Sequence, residues 1–235
     1  SKLNSRMHNK IIVNGCSFSQ EAYLPVEDRW SNRINCYENL AHGGGSNDRI
    51  FISTIEYLNL KHVDCLIIGW TEPSRTILTT REGTNVIVNI GTGFDESTAQ
   101  LREDMQKFYY LKMYNPYTSL VKTLNYMLHL QEHCKAKGIK LLYWNAMLPE
   151  LDQTELLEIC SHAHMDISNR GKRESGVESY LNYVNTLLSK LDKTIWIKKF
   201  WYGISEHCDD LPKLDDGHPG ADASKVWAEL VKEYL

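Results

Sequence analysis

The sequence predicts an α/β protein in which a five-stranded parallel sheet lies between two layers of helices. Short β-branched and apolar runs alternate along the chain with longer segments whose apolar residues recur at helical spacing. One short run, residues 63–69, is apolar almost throughout, which is typical of a strand that helices cover on both faces. The chain has 235 residues, of which 42% are hydrophobic, so it can build the core of one domain of ordinary size.

Five segments are predicted to be the strands of this sheet. In chain order they are residues 10–14, 34–40, 63–69, 139–144 and 194–197. The fourth follows Lys137-Gly138, a pair that is typical of a helix end.

Helical spacing of apolar residues predicts helices over residues 46–59, 117–135, 176–191 and 222–235. Strands that alternate with helices indicate right-handed crossover connections, which bring the carboxyl ends of the strands to one edge of the sheet. Ligands bind at that edge in open α/β sheets, so we expect the functional site there.

Residues 76–93 interrupt this alternation. Two β-branched runs flank residues 81–85 and predict a hairpin inserted after the third strand. The hairpin would overhang the carboxyl edge of the sheet, and both a substrate-selecting flap and a plain surface hairpin are consistent with the sequence. Residues 7–235 are otherwise predicted to be a single domain, and residues 1–6, which precede the first methionine, are set aside as a remnant outside it.

Composition and charge exclude several classes of protein. The net charge of −4 and the isoelectric point near 6.1 give no general attraction to nucleic acid or to anionic membranes. No segment approaches the roughly 18 apolar residues of a membrane-spanning helix, and the first ten residues are too polar for a signal peptide. The six scattered cysteines are predicted to be reduced thiols, so we expect a cytoplasmic protein.

Two short motifs at opposite ends of the chain contain candidate catalytic residues. Gly15-Cys16-Ser17 directly follows the first predicted strand and presents a serine on a tight turn. Near the other end, Asp215 stands three residues before His218. Each motif alone is commonplace, since a serine after a strand is usually a helix N-cap and such a histidine usually lies in a surface turn. Together they predict a serine–histidine–aspartate relay, because a serine nucleophile needs a base and the base needs an orienting group.

A glycine-rich block, Gly43-Gly44-Gly45, stands between the second predicted strand and a helix. Such a loop lets a backbone N–H approach a bound group closely. A phosphate-binding loop is the rival interpretation, but the block lacks the lysine and the serine or threonine that follow the glycines in such a loop.

With these residues the chain resembles the SGNH (GDSL-type) hydrolase superfamily, from residue 11 to the last helix. The family has a Gly-Asp-Ser block, an asparagine followed five residues later by glycine, a Gly-x-Asn-Asp block and a closing Asp-x-x-His-Pro. The matching segments here are Gly15-Cys16-Ser17, Asn39 with Gly44, Gly69-Trp70-Thr71-Glu72 and Asp215 to Pro219. The residues in these segments are most similar to those of divergent family members from tailed bacteriophages and their hosts.

The resemblance implies a flavodoxin-like, three-layer α/β/α fold and a role for each matching residue. Ser17 would attack the acyl carbon, His218 would carry the proton to the leaving alcohol, and Asp215 would orient His218. Cys16 replaces an aspartate that is not a catalytic group in the family, so it is interpreted as a packed thiol.

The resemblance also implies an oxyanion hole formed by the backbone N–H groups of Ser17 and Gly44. The family's third donor is an asparagine side chain, and here Thr71 occupies that position. Losing one such donor typically costs about 10²–10³ in rate. We therefore hypothesise that the side-chain amide of Asn47, just after the glycines, supplies a substitute donor.

The predicted function is hydrolysis of a small-molecule or glycan ester through an acyl-enzyme on Ser17, with no metal or organic cofactor. Removal of an O-acetyl group from a carbohydrate is favoured over lipolysis, because the sequence shows no long apolar lid. Two alternatives stay open. The scaffold could serve as a binding or assembly module with a weakened relay, which the missing asparagine favours, or the same nucleophile could serve an O-acyltransferase.

Overall fold

The computed structural model describes residues 9–82, 85–88, 99–149, 151–164 and 176–235. The strands within them are β1 Ile11–Asn14, β2 Glu38–Asn39, β3 Cys65–Trp70, β4 Thr76–Thr79, β5 Asn85–Val88 and β6 Lys140–Asn145. One parallel sheet has the strand order β2-β1-β3-β6, and β4 pairs with β5 in a separate antiparallel ladder. This topology confirms the predicted α/β fold class.

The predicted fifth strand is reduced to one parallel bridge, between Tyr143 of β6 and Trp196. The Ile197 N–H donates to the Tyr143 carbonyl at 2.9 Å and extends the sheet at this position. Residues Lys193–Ile195 form a 3₁₀ helix that is capped by the Asp192 side chain. Because this helical turn occupies the start of the segment, the expected five strands are found as four strands and a bridge.

The second predicted strand, residues 34–40, is also shorter in the structure, where only Glu38–Asn39 pair with β1. A short helix ends at Arg33, and Asn35 then turns the chain with a φ of 55°. Asparagine tolerates this left-handed conformation better than most residues. The turn therefore delays the start of the strand.

The described residues form short and long α-helices on both sides of the sheet. The four long predicted helices are found within three residues of their expected ends, and a π-helical turn, Tyr109–Met113, follows α4. In chain order the α-helices are α1 Ser17–Gln20, α2 Trp30–Arg33, α3 Asn47–Leu60, α4 Ala99–Phe108, α5 Pro116–Lys137, α6 Gln153–Ser161, α7 Val177–Lys190, α8 Ile204–His207 and α9 Ala221–Lys232.

Helix α5 shows why the sequence places helix ends where it does. The Asn115 side chain accepts a hydrogen bond from the Thr118 N–H at 2.9 Å, and Pro116 occupies the first turn, where no intrahelical donor is needed. At the other end Gly138 adopts a left-handed conformation with a φ of 67°. A glycine reaches that conformation without a Cβ penalty, so the helix stops there and β6 begins.

The two faces of the sheet bury separate hydrophobic cores, which makes the fold three-layered. Along β1, Ile12 points into one core, whereas Ile11 and Val13 point into the other. The Ile12 core also contains buried side chains from α3, α5, α6 and α7, and the opposite core contains side chains from α2, α8 and α9. This division follows the period of two along a strand.

The β4–β5 hairpin attaches to the α3 side of the domain. The Thr76 hydroxyl donates to the buried Asp48 carboxylate near the start of α3, and Asp48 also pairs with Lys122 of α5 at 2.8 Å. The remainder of the segment predicted as a hairpin, residues 83–84 and 89–93, lies outside the described residues. Across the described residues, no helix is both long enough and apolar enough to cross a membrane.

Candidate active site

The turn after β1 presents Ser17 as the first residue of α1. Gly15 makes this turn tight, because a Cβ at this position would lie 2.1 Å from the Ser19 hydroxyl oxygen and 3.1 Å from the Gly69 carbonyl oxygen. Cys16 is fully buried, and its carbonyl accepts the N–H groups of Ser19 and Gln20 at 3.0 Å. Its burial agrees with the interpretation of Cys16 as a packed thiol.

His218 lies against this turn, although 201 residues separate it from Ser17. Its Nε2 atom is 2.9 Å from the Ser17 hydroxyl oxygen. A narrow loop holds the histidine, with an antiparallel bridge between Lys213 and Pro219 and a hydrogen bond of 2.9 Å from the Leu214 N–H to the His218 carbonyl. The two predicted residues are therefore brought together in hydrogen-bonding geometry at the carboxyl edge of the sheet.

The carboxylate beside His218 belongs to Asp216, which corrects the assignment of Asp215. Asp216 Oδ2 is 3.0 Å from His218 Nδ1, and Asp216 Oδ1 accepts the His218 backbone N–H at 3.1 Å. A side chain that bonds the backbone two residues later forms an Asx turn, and this geometry selects the nearer aspartate. Asp215 is exposed on the same loop.

The contact between Asp216 and the imidazole is close but poorly aligned. Within the described residues, Nδ1 of His218 has no acceptor in good hydrogen-bond geometry, despite the 3.0 Å separation. The Asp216 side chain is 59% exposed. The His218 backbone N–H is the main cause that lowers the pKa of Asp216, so this carboxylate stays ionised to lower pH than usual.

Two aromatic rings, to which the sequence motifs assign no role, contact the imidazole from its sides. The Phe18 ring meets it edge-on, with centroids 5.2 Å apart, and the Tyr23 ring lies 4.5 Å away at a tilt of 44°. The Tyr23 hydroxyl is buried without a hydrogen-bond partner among the described residues, and burial raises the pKa of Tyr23. Phe18 directly follows the nucleophile and could have been suspected for that reason, but nothing in the sequence marks Tyr23.

The glycine block packs directly on the nucleophile turn. A Cβ at Gly45 would lie 2.9 Å from the His42 carbonyl oxygen and 3.2 Å from the Gly15 carbonyl oxygen. The His42 N–H donates to the Gly15 carbonyl at 3.2 Å, and the Gly43 N–H donates to the Gln20 side chain at 2.6 Å. These contacts place Gly44, which has a φ of 69°, in the loop next to Ser17.

The hypothesis that Asn47 donates to the oxyanion is wrong for this structure. Both hydrogens of its buried side-chain amide are used, one by the Thr71 carbonyl at 2.8 Å and one by the Thr123 hydroxyl at 3.1 Å. The amide oxygen accepts the Thr71 N–H at 2.9 Å. Asn47 therefore fixes the backbone of Thr71 and has no hydrogen left for a substrate.

Thr71 itself is fully buried at the end of β3, and its hydroxyl oxygen has no partner among the described residues. A hydroxyl that is shielded in this way is not displayed to a bound ester in the conformation that the structure shows. The sequence had pointed to the changed residue type at this position, and the structure adds that the side chain is buried.

A cavity of about 590 Å³ has Phe18 in its wall, whereas neither Ser17 nor His218 belongs to its described lining. Phe18 links this cavity to the pair of Ser17 and His218, because it directly follows Ser17 and its ring meets His218. The wall is formed by the segments after β3 and β6, by the start of α5 with the preceding Tyr114, and by α6 and α8. The lining residues are Phe18, Glu72, Pro73, Ser74, Tyr114, Pro116, Leu120, Asn145, Ala146, Met147, Leu148, Pro149, Glu155, Glu158, Ile159, His162, Ser205 and Glu206.

Neither Arg75 nor the strands of the β4–β5 hairpin belong to the described lining of this cavity. Arg75 is 7% exposed and pairs with Glu72 at 3.2 Å. Its guanidinium also contacts the sulfur of Met147 at 3.0 Å. Within the described residues, the strands β4 and β5 contribute nothing to the lining, whereas the segment just before β4 does.

Glu21 is a buried acidic group at the end of the short helix that begins with Ser17. It has a φ of 49° and closes α1, since its N–H donates to the Ser17 carbonyl at 2.8 Å. Its Oε2 accepts the Trp30 N–H at 2.6 Å, while Oε1 has no hydrogen-bond partner among the described residues. Burial raises the pKa of Glu21 to about 8, against a smaller lowering influence of the Ser224 hydroxyl. The side chain is therefore mainly protonated at neutral pH.

Comparison with known proteins supports the fold. No protein-family profile matches the sequence, and no curated protein matches it. The solved structure of TesA is similar, with a TM-score of 0.51 at 12% identity, and the match covers 96% of this chain and 97% of TesA.

Other similar structures have lower scores. The psychrotrophic esterase EstA from Pseudoalteromonas sp. gives a TM-score of 0.48 at 11% identity, with 96% of both chains covered. A GDSL-like lipase from Bacteroides thetaiotaomicron VPI-5482 gives 0.47 at 13% identity, with 95% of this chain and 86% of the lipase covered. With its parallel sheet, its two cores and its similarity to TesA, the chain has a three-layer α/β/α fold like that of TesA.

Proposed function

We propose that this protein is a serine ester hydrolase that works through an acyl-enzyme on Ser17. The observation that carries the proposal is the 2.9 Å distance between Ser17 Oγ and His218 Nε2, two atoms from opposite ends of the chain. A serine hydroxyl becomes an effective nucleophile when a base lies within hydrogen-bonding reach. A fold like that of the SGNH hydrolases is consistent with this chemistry, but a fold alone does not establish an activity.

In the proposed reaction, Ser17 Oγ forms a bond to the acyl carbon while its proton passes to His218 Nε2. The tetrahedral intermediate then expels the alcohol, which takes the proton from Nε2 and leaves the acyl group on Ser17. Water, activated by the same nitrogen, attacks the acyl-enzyme and releases the acid. Asp216 faces Nδ1 and stabilises the imidazolium that forms during each proton transfer.

Two backbone donors are proposed to stabilise the oxyanion. The Ser17 N–H stands at the start of α1, where it has no intrahelical acceptor, and the N–H of Gly44 belongs to the loop packed on the same turn. A third donor from Thr71 or Asn47 is not proposed, because the first hydroxyl is buried and the second amide is fully used. We therefore expect turnover about 10²–10³ below that of a comparable site with three donors.

The missing third donor is also the observation that favours the second candidate, a binding module with the same fold. Its relay would be a remnant, and Ser17 would not be acylated at a useful rate. The preference for a carbohydrate O-acetyl group, and the choice between hydrolysis and transfer to an acceptor alcohol, stay predictions about the same nucleophile.

The experiment is labelling with a serine-reactive fluorophosphonate, combined with hydrolysis of p-nitrophenyl acetate. The wild-type protein and the variants Ser17→Ala, His218→Ala and Ser189→Ala are compared. Ser189 is an exposed serine of α7 that does not line the cavity, so its replacement is the matched control. We expect wild type and Ser189→Ala to be labelled and active and the other two to be silent. If well-folded wild-type protein is neither labelled nor active, the binding module is the better assignment. Analysis of products in the presence of glycerol and an acetylated oligosaccharide separates hydrolysis from transfer.

A further inference from the structure

Among the described residues, the charged side chains that line the cavity next to Phe18 are mainly acidic. Four of its lining residues are glutamates, namely Glu72, Glu155, Glu158 and Glu206. No lysine or arginine belongs to the described lining, and His162 is the ionisable base among those residues. A cavity lined by one sign of charge concentrates oppositely charged ligands, because its low-dielectric walls focus the field.

Most of these carboxylates have no ion-pair partner among the described residues. Glu72 pairs with the buried Arg75 at 3.2 Å. Within the described part of the chain, Glu155, Glu158 and Glu206 form no ion pair, and all three are exposed. Glu155 and Glu158 are three residues apart on α6, so they lie on the same face of that helix.

The rest of the wall is apolar and aromatic. Phe18 and Tyr114 contribute rings, and Met147, Leu148 and Ile159 contribute aliphatic surface. Aromatic faces attract cations, and apolar walls favour the methyl and methylene groups that surround an alkylated ammonium. Carboxylates with such a wall suit an organic cation better than a neutral sugar, whose hydroxyls gain nothing from the apolar part.

We propose that the cavity selects esters that carry a positively charged ammonium group in their acyl or alcohol portion. The inference rests on the proposed function, since it names the substrate class of the same site. The volume of about 590 Å³ lies within the range of small-molecule sites, and Phe18, which directly follows Ser17, forms part of its wall. Anionic esters are disfavoured by the same carboxylates.

The test uses two pairs of esters that match in shape and differ in charge. The first pair is 2-(trimethylammonio)ethyl acetate and 3,3-dimethylbutyl acetate, which differ in the alcohol. The second pair is the p-nitrophenyl ester of 4-(trimethylammonio)butanoate and that of 5,5-dimethylhexanoate, which differ in the acyl group. Binding is measured with Ser17→Ala, which cannot form the proposed acyl-enzyme, and kcat/KM is measured with the enzyme that retains Ser17.

We expect the charged member of at least one pair to bind about tenfold more tightly at low salt, with a matching preference in kcat/KM. Half-molar salt should reduce the preference severalfold, because exposed charges are screened. The double variant Glu155→Gln/Glu158→Gln should lose most of it. Glu56→Gln, which changes an exposed glutamate of α3 that is not part of the lining, should keep it.

The outcomes separate this inference from the proposed function. Equal binding of both members in both pairs, or a preference that the double variant retains in full, overturns the inference whether or not esters are hydrolysed. A charge preference in binding without hydrolysis of any ester supports the cation site and rejects the ester hydrolase.

Discussion

Replacing the buried Glu21 by glutamine should change how the stability of the protein depends on pH. Glu21 closes the short helix that begins with the nucleophile, and its carboxyl is held between that helix and Trp30. Protonated, the carboxyl can carry its hydrogen on Oε1, the oxygen without a partner among the described residues. Glutamine has the same shape as this neutral form, and unlike glutamate it cannot ionise.

The magnitude follows from the pKa of about 8 in the folded protein and the ordinary value of 4.5. A group whose pKa is raised by folding contributes stability at low pH and loses it as the pH rises. Between pH 4.5 and pH 8 the unfolded chain releases the proton while the folded chain keeps it. Linkage then lowers the free energy of unfolding by about 1.4 kcal/mol per pH unit, or about 3 kcal/mol from pH 5 to pH 8.

Urea unfolding, followed by the fluorescence of the six tryptophans, measures this at pH 5, 6, 7 and 8. The unfolding free energy of Glu21→Gln relative to wild type should rise by about 3 kcal/mol across the range. Any constant effect of the substitution cancels in this comparison. Glu27→Gln, at an exposed neighbouring position, should give a difference that does not vary with pH. A flat difference for Glu21→Gln would refute the assignment of a neutral buried carboxyl.

Three further substitutions test the surroundings of the nucleophile. Asp216→Asn should lower kcat by about a hundredfold while Asp215→Asn leaves it unchanged, and equal effects on the rate of p-nitrophenyl acetate hydrolysis would contradict the assignment of Asp216. Asn47→Ala should reduce the free energy of unfolding, measured in urea, by about 3 kcal/mol, because it leaves buried backbone groups unpaired. A variant of unchanged stability with slower turnover would instead support Asn47 as an oxyanion donor. Tyr23→Ala should lower kcat about tenfold at constant KM, because the imidazole loses a packing partner. Tyr23→Phe keeps the ring and should keep the rate. Loss of activity in both variants would indicate that the hydroxyl is needed.

The sheet could be predicted from the sequence where the strands are buried on both faces. Residues 63–69 and 139–144 are apolar runs with clear boundaries, and β3 and β6 are found there. The two edge segments were predicted too long, because their ends are set by local turns. Asn35 in a left-handed conformation and Asp192 capping a 3₁₀ helix each compete with the strand, and such competition is not visible in a pattern of apolar residues.

The contact between Ser17 and His218 could be predicted from the sequence, whereas the aspartate beside the histidine could not. Ser17 and His218 stand in motifs that each follow from the order of elements, since β1 and the loop before α9 both end at the same edge of the sheet. Two aspartates precede the histidine, and spacing alone cannot choose between them. The choice is made by the tight loop, in which Asp216 bonds the backbone N–H of His218 and so brings its second oxygen to Nδ1.

The residues that no motif indicated owe their position to packing between distant segments. Tyr23 reaches the imidazole from the loop after α1, and Glu21 is buried because α2 covers it. The glutamates of the cavity come from three separate parts of the chain, and each alone is an ordinary surface residue. Their common effect on charge exists only after folding, which is why composition and net charge gave no sign of it.

Thr71 stands where the family that the sequence resembles has an asparagine, and this difference changes which groups could contact a bound ester. Asn47 uses its whole side-chain amide to hold the Thr71 backbone, so the end of β3 is fixed by α3 and supplies no donor of its own. On the proposed mechanism the oxyanion then depends on two backbone N–H groups. Their separation is set by the hydrogen bond from His42 to Gly15 and by the close packing of Gly45 on the same turn. Catalysis should consequently be more sensitive to this contact between two loops than to the residue type at the end of β3.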